Sequence, residues 1–332
     1  MAARRRTQRF WRLWAAGLVA VAVGSPAGAD EGGTFKLPER AGRQAESAPF
    51  ELPDAAGGQG LLEGDPSTQG LVAWFDQLGP RKDRQPFGAL VLRAARLALG
   101  RPYAPQVELP GVEVVDFNVD MFQCVSLVEG ALAVARCTWS DERTPACFRR
   151  EVARLRYRHG AMDGFASRLH YFEDWLTDNA ARKSVSLLSG RLGNSAITRR
   201  TSFMSNHPQA FPAMQNPRER KRIEAIERRL SHRPVPIVLR ADVQQAARHL
   251  RDGDIVAIVT KRPDILVHHV GFIDRDSRGV VHLLHASSAR KKVLRTSDTL
   301  QAYLYARPER QGILLARPLP PAARARERQA DK

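Results

Sequence analysis

The residues best suited to chemistry are one cysteine and two histidines. Cys124 falls in the first turn of a helix whose apolar positions Cys124, Leu127, Val128, Ala131, Leu132 and Ala135 recur at helical spacing and must face a core. Unpaired N–H groups and the positive end of the dipole favour an anion in such a turn. A thiol there is expected to have a lowered pKa and to be a competent nucleophile, although position alone fits a core-filling cysteine equally well. The histidines tip the balance. A hairpin of residues 269–274 and 280–287 that pairs Asp274 with Val280 sets His269 directly across from His285, on one face of a sheet. His268 and His282 then point the other way, which argues against a His282-x-x-His285 metal site, and no metal or other cofactor is expected. Nucleophile, base and orienting group are what acyl-transfer chemistry by a thiol requires. A one-residue slip of the assumed register would break the constellation.

The elements that must hold these groups are helices first and strands last. Helical patterns cover 70–78, 87–99 (stopped by Gly100-Arg101-Pro102), Met121 to Arg136 with Asn118 or Asp120 as cap, 145–157, 163–180 and 217–231. Strand patterns cover Ile255 to Thr260, His269 to Asp274, Val280 to Ser287, Lys291 to Thr296 and Gly312 to Arg317. No long helix separates the middle strands, so the sheet should be antiparallel and the class α+β. Cys137 and Cys147 lie ten residues apart across a polar loop and could close a disulfide in an oxidising compartment. The odd count of three cysteines would then be two structural sulfurs and one free thiol.

The compartment is read from the start of the chain. Arg4, Arg5, Arg6, Arg9 and Arg12 precede an apolar run from Leu13 to Val23, followed by Ala27-Gly28-Ala29. This is a signal peptide over 1–29, too short for a spanning helix, which needs about 20 apolar residues. An exported protein of the periplasm or cell envelope is expected, with no stable membrane insertion after cleavage. Residues 30–69 read as a flexible acidic linker and 318–332 as a disordered tail, leaving 70–317 as the folded part. The full chain of 332 residues carries 52 Lys and Arg against 35 Asp and Glu, and residues 69–317 retain a net +15. The 43% hydrophobic content excludes a disordered or collagen-like chain. The charged helix 217–231 is a solvated face. No interleaving of aromatic and basic residues supports nucleic-acid binding.

With these residues in hand, the chain resembles the NlpC-type branch of papain-like cysteine peptidases, through Cys124, His269-Val270-Gly271 and Leu283-Leu284-His285-Ala286-Ser287-Ser288. Leu155-Arg156-Tyr157-Arg158-His159-Gly160, Ser167-Arg168-Leu169-His170-Tyr171-Phe172-Glu173-Asp174-Trp175, Phe203-Met204-Ser205 and Gly253-Asp254-Ile255 are similar, more narrowly, to the bacterial N-acetylmuramoyl-L-alanine amidase-like family. The resemblance implies a papain-like NlpC-type fold, with the Cys124 helix packed on a C-terminal antiparallel sheet and a helical insertion, 140–250, between Cys124 and His269. It implies a peptidoglycan amidase cutting the N-acetylmuramoyl-L-alanine bond. Cys124 would be the nucleophile, His269 the base, His285 the orienting residue and the Cys124 N–H an oxyanion donor, with Tyr103 beside the cysteine. In the insertion, Arg168, His170, Tyr171 and Ser205 are the candidate substrate contacts, Tyr171 and Trp175 fitting a core role as well. Gln123 stands where the family usually has Asp, and Ser126 where Thr is usual. A basic domain suits peptidoglycan or muropeptides, whose stems carry carboxylates. The alternatives are an endopeptidase cutting gamma-D-glutamyl bonds of the stem, and a non-catalytic basic envelope-binding protein.

Overall fold

The computed structural model describes residues 66–104 and 113–322. The expected signal segment lies outside them, as do residues 30–65 of the expected linker and 323–332 of the expected tail. The first helix already starts at Pro66, and Leu319 is held by its N–H to Ser184 (2.9 Å). In chain order the elements are α1 (Pro66–Leu78), α2 (Phe87–Arg96), α3 (Cys124–Trp139), α4 (Pro145–Arg156), α5 (Phe172–Ala181), β1 (Val185–Leu187), α6 (Ser189–Leu192), β2 (Ser195–Ile197), α7 (Phe203–Asn206), α8 (Pro217–Ser231), β3 (Val235–Leu239), α9 (Val243–Ala247), β4 (Ile255–Thr260), β5 (Val267–Arg275), β6 (Val281–Ser287), β7 (Lys292–Arg295), α10 (Leu300–Tyr305) and β8 (Arg310–Pro318). No helix among the described residues is long and apolar enough to cross a membrane.

The class is α+β. Strands run in the order β2-β3-β8-β4-β5-β6-β7, with β1 also on β8, and every pair is antiparallel. One face of the sheet packs on the first helices: Ala257, Val270, Phe272 and Leu284 join a core with Leu90, Leu127 and Trp175. The other face, with Val256, Ile258, Ile273, Leu283 and Ile313, is covered by α9 and α10. A third cluster, around Tyr171, Met204, Phe211 and Ile223, belongs to the inserted block and reaches the sheet through Ile265.

The central helix α3 is buried almost all round, not along a single stripe. Its charged residues survive there because they are paired: Arg156 donates to Glu129 (2.9 Å) and Arg136 to Glu151 (2.7 Å). The block between residues 140 and 250 is not purely helical, which corrects the sequence reading. It adds β1, β2 and β3 to the sheet through Val185↔Pro318, Ser195↔Ile237 and Val238↔Ile313. Three-residue strands leave no readable alternation. Pro236, which cannot donate to a ladder, masks β3 by sitting in the half that faces only β2.

Candidate active site

Cys124 is the first residue of α3, after Gln123 in extended conformation. The helix therefore begins three residues later than expected. Asn118 does not cap it but accepts the Asp120 N–H (2.8 Å) in a turn upstream. Ser126 takes the capping role: its hydroxyl accepts the Gln123 N–H (3.0 Å) and donates to the Gln123 carbonyl (3.2 Å).

The thiol meets β5 where β5 and β6 part. The ladder between them runs from Arg275↔Val281 to Phe272↔Leu284 and ends there. Ile273 exchanges hydrogen bonds with Gly253 and Asp254 on the β4 side, so Val270, three residues away, turns its N–H toward β6. With no ladder partner, that N–H favours the Cys124 thiolate, as do the N–H groups of Val125 and of Cys124 itself. Burial nevertheless outweighs them and pushes the thiol up to about 12, with Cys124 only 1% exposed. The expected lowering of its pKa is therefore not what the structure has: the backbone at the helix terminus pulls the pKa down, and burial outweighs it.

His269 and His285 stand on the two walls of this split, with His269 Nε2 and His285 Nδ1 2.6 Å apart and the rings edge to face. Their register is shifted by two from the one expected. Asp276 accepts the N–H groups of Arg278 (2.9 Å) and Val280 (2.8 Å) around Gly279, whose φ is +78°, so β5 runs on to Arg275 and the turn sits one residue further along the chain. Gly271 thereby comes opposite His285 and His269 becomes its diagonal neighbour. A shift of two keeps the side chains on one face, which is why the pair still meets. The glycine of His269-Val270-Gly271 follows from this register, since a Cβ there would lie 2.5 Å from the Leu284 carbonyl and 3.0 Å from the His285 Cβ. Burial and neighbouring cations hold His269 well below 6.5 and His285 at about 4, so both rings are neutral at pH 7.

The alternation beyond His269 is broken by a feature the sequence reading missed. Ile258 pairs with His269 but Val259 with Val267, leaving His268 as a bulge. A second bulge in the adjacent ladder, between Val259↔Gly312 and Thr260↔Arg310, leaves Gln311 extra. Two further residues line the face of His285 without having been anticipated: Tyr303 of α10, its ring 5.6 Å from His285, and Arg310, stacked 3.8 Å over Tyr303. No periodicity in the sequence pointed to either.

The anticipated substrate contacts divide. The backbone of Tyr103 runs beside Phe122, two residues before Cys124, and is held to Lys291, so it belongs to the site's border. The others are engaged inside the inserted block. Arg168 donates to Glu113 (2.8 Å), which also accepts the Tyr157 hydroxyl (2.6 Å). His170 is held by the Phe165 carbonyl (2.8 Å), and burial depresses it to about 3. Tyr171 donates to Glu227, and the same carboxylate oxygen accepts the Ser205 N–H (3.1 Å), while the Ser205 hydroxyl donates to Ser202. Cavities of about 560 Å³, beside Arg158 and Arg229, and about 240 Å³, beside Glu173 and Arg233, border this block, and Cys124 lines neither. No cluster of metal-ligating side chains occurs among the described residues, and His282 is tied to the Asp298 carbonyl (3.0 Å). Cys137 on α3 and Cys147 on α4 are joined in a disulfide with Cα atoms 5.9 Å apart, and Cys124 is the free cysteine.

A helical layer packed on an antiparallel sheet, with a buried cysteine opening the central helix and a histidine pair on strands β5 and β6, defines an α+β protein. The family model for N-acetylmuramoyl-L-alanine amidase-like proteins matches residues 93–313, and the chain belongs to that family. A crystal structure of an N-acetylmuramoyl-L-alanine amidase from Bacteroides uniformis is similar at 28% identity and TM-score 0.65, over 70% of this chain and 99% of that one. A Bacteroides fragilis structure with a provisional xylanase name is similar at 29% identity and TM-score 0.62, over 67% and 98%. A Legionella pneumophila protein shares the fold at 15% identity and TM-score 0.56, over 76% and 94%. No curated protein matches the sequence.

Proposed function

We propose that the chain is an exported cysteine amidase that hydrolyses the N-acetylmuramoyl-L-alanine amide of peptidoglycan or its fragments. The observation that carries the reading is the split between β5 and β6, where the thiol at the start of α3 meets the backbone of Val270, the residue after His269, whose ring is hydrogen-bonded to His285, in a chain whose family bears the amidase name. His269 uses its Nε2 on His285, so its Nδ1 is the nitrogen left to act as base. Burial disfavours both the thiolate and the imidazolium in the closed resting site. The Cys124 proton passes to His269 as sulfur attacks the lactyl carbonyl, and the N–H at the start of α3 supports the oxyanion. Collapse breaks the C–N bond, the imidazolium proton goes to the leaving L-alanine amine, and water hydrolyses the thioester. His285 accepts from Nε2 and keeps the ring in this tautomer. The positive charge of the domain favours the anionic wall.

Digestion of defined muropeptides with product identification by mass spectrometry tests the reading. Expected products are the sugar and an intact stem peptide beginning with L-alanine. A stem fragment beginning with the residue after D-glutamate, with muramoyl-L-alanyl-D-glutamate left joined, would make the protein a gamma-D-glutamyl endopeptidase. Wall binding without hydrolysis would make it an envelope-binding protein. Export predicts a mature N-terminus at Asp30.

A further inference from the structure

Arg310 owes its direction to the bulge at Gln311. Along β8, Gly312 pairs with Val259 and faces the α3 side. The next paired residue is Arg310, opposite Thr260, and the extra residue turns it to the other face. That is the face of Ile258, whose partner across the adjacent ladder is His269. The guanidinium is then fixed in place. It stacks 3.8 Å over the Tyr303 ring, and Nη1 donates to the Tyr303 carbonyl. Tyr303 in turn packs on His285.

A guanidinium held this rigidly has no ion-pair partner among the described residues, although the charge of its exposed neighbour Glu309 is felt there. Arg310 is half-buried, its Nε is buried with no hydrogen-bond partner, and no carboxylate among the described residues lies within 4.0 Å of it. The fully buried Arg156 and Arg136 are each paired with a glutamate, and the half-buried Arg101, Arg199 and Arg275 are met by backbone carbonyls, whereas Arg310 keeps a buried Nε with no acceptor. Burial lowers the pKa of Arg310, and its charge is felt at His268, His269 and His285, which places it at the site.

We propose that Arg310, on its Tyr303 platform, is a carboxylate-binding residue of the substrate site, taking a carboxylate of the peptide whose amide is presented to Cys124. The proposal rests on the amidase reading for the identity of that peptide, but its binding test does not depend on hydrolysis. The Cys124→Ala protein is titrated calorimetrically with a muropeptide bearing a free carboxylate on the second stem residue, and with the same muropeptide carboxamidated there. The free acid is expected to bind about 10- to 100-fold more tightly, the range of a charge-assisted bond. Adding Arg310→Gln should abolish that preference while the affinity for the carboxamide stays within about threefold. Arg310→Lys keeps the charge without the planar fork and should retain only part of it; it reads the same preference should the glutamine variant not fold. A full preference surviving in either variant, or none in the Cys124→Ala parent, overturns the proposal. Arg310-dependent binding in a wild-type protein that hydrolyses no muropeptide would instead remove the amidase reading and leave the subsite standing.

Discussion

The split between β5 and β6 and the inserted block treat polar groups in opposite ways. In the block, carboxylates gather donors: Asp174 holds Arg158 (2.6 Å) and Arg229 (3.1 Å), Asp178 holds Arg182, and Glu227 takes Tyr171, Met204 and Ser205. At the split the thiol has only backbone donors, His268 Nδ1 is buried without a partner, and Arg310 Nε is unpartnered. Saturated polar networks fix a structure, whereas unmet ones are stable only if something else supplies the missing partner. The anticipated contacts Arg168, Tyr171 and Ser205 are each engaged by partners within the fold, whereas Arg310, unremarked in the sequence, keeps a donor open.

The largest effects should separate the two regions cleanly. Cys124→Ala is expected to lower kcat by about 10⁴-fold or more with little change in melting temperature, because it removes the proposed nucleophile from a packed position. Glu227→Ala should do the converse. It strands the Tyr171 hydroxyl and two backbone N–H groups and should cost about 3–5 kcal/mol, about 6–15 °C in Tm, with the folded fraction still active. Kinetics and thermal melts on both variants check the division. A Glu227→Ala protein that melts like wild type but fails to turn over would move the inserted network into the active site.

Next in size is the bond between α3 and α4. Replacing Cys137 and Cys147 by serine releases a loop with sequence separation 10 and should cost about 2–3 kcal/mol. It should leave the Cys124 environment intact, since α3 is held along its length by buried contacts and by the Arg156–Glu129 pair. Thiol titration of the unreduced, unfolded mature protein is expected to find one reactive sulfur, and three would show the two cysteines unjoined.

How much of this was legible follows from what alternation can carry. The run Ile255 to Thr260 is six buried residues and was read with its true ends. That His269 and His285 share a face was legible because parity survives a register error of two. The bulges at His268 and Gln311 were not, since an added residue leaves no mark in a one-dimensional pattern, and Arg310 was lost with them. The raised thiol pKa was hidden for a different reason: helix position is local, whereas desolvation depends on everything that later packs over it. Family-specific stretches such as Leu155 to Gly160 and Gly253-Asp254 mark scaffold more than chemistry. Arg158 serves Asp174, and Asp254 grips Arg317 through both oxygens (2.8 Å each).

Glu173 is the exception within the inserted block and gives its smallest, sharpest test. It is 3% exposed and lines the 240 Å³ cavity, and neither carboxylate oxygen has a side-chain partner. Burial first, then its neighbour Asp174, raise it to about 7, against the pull of Arg233 and Arg199. The folded state therefore binds this proton more tightly than the unfolded chain, whose value is 4.5. Stability from this group is undiminished below 4.5, falls as pH rises from 4.5 to about 7, and reaches its full loss above that. Glu173→Gln mimics the protonated acid, so it should match wild type at pH 4 and exceed it at pH 8 by about 2 kcal/mol, about 4–8 °C in Tm. Melts of both proteins across this range decide the matter. A glutamine variant less stable at pH 8 would mean that Arg233 or Arg199 pairs with the carboxylate in solution, and the rule that the inserted block pairs its carboxylates would then hold for Glu173 too.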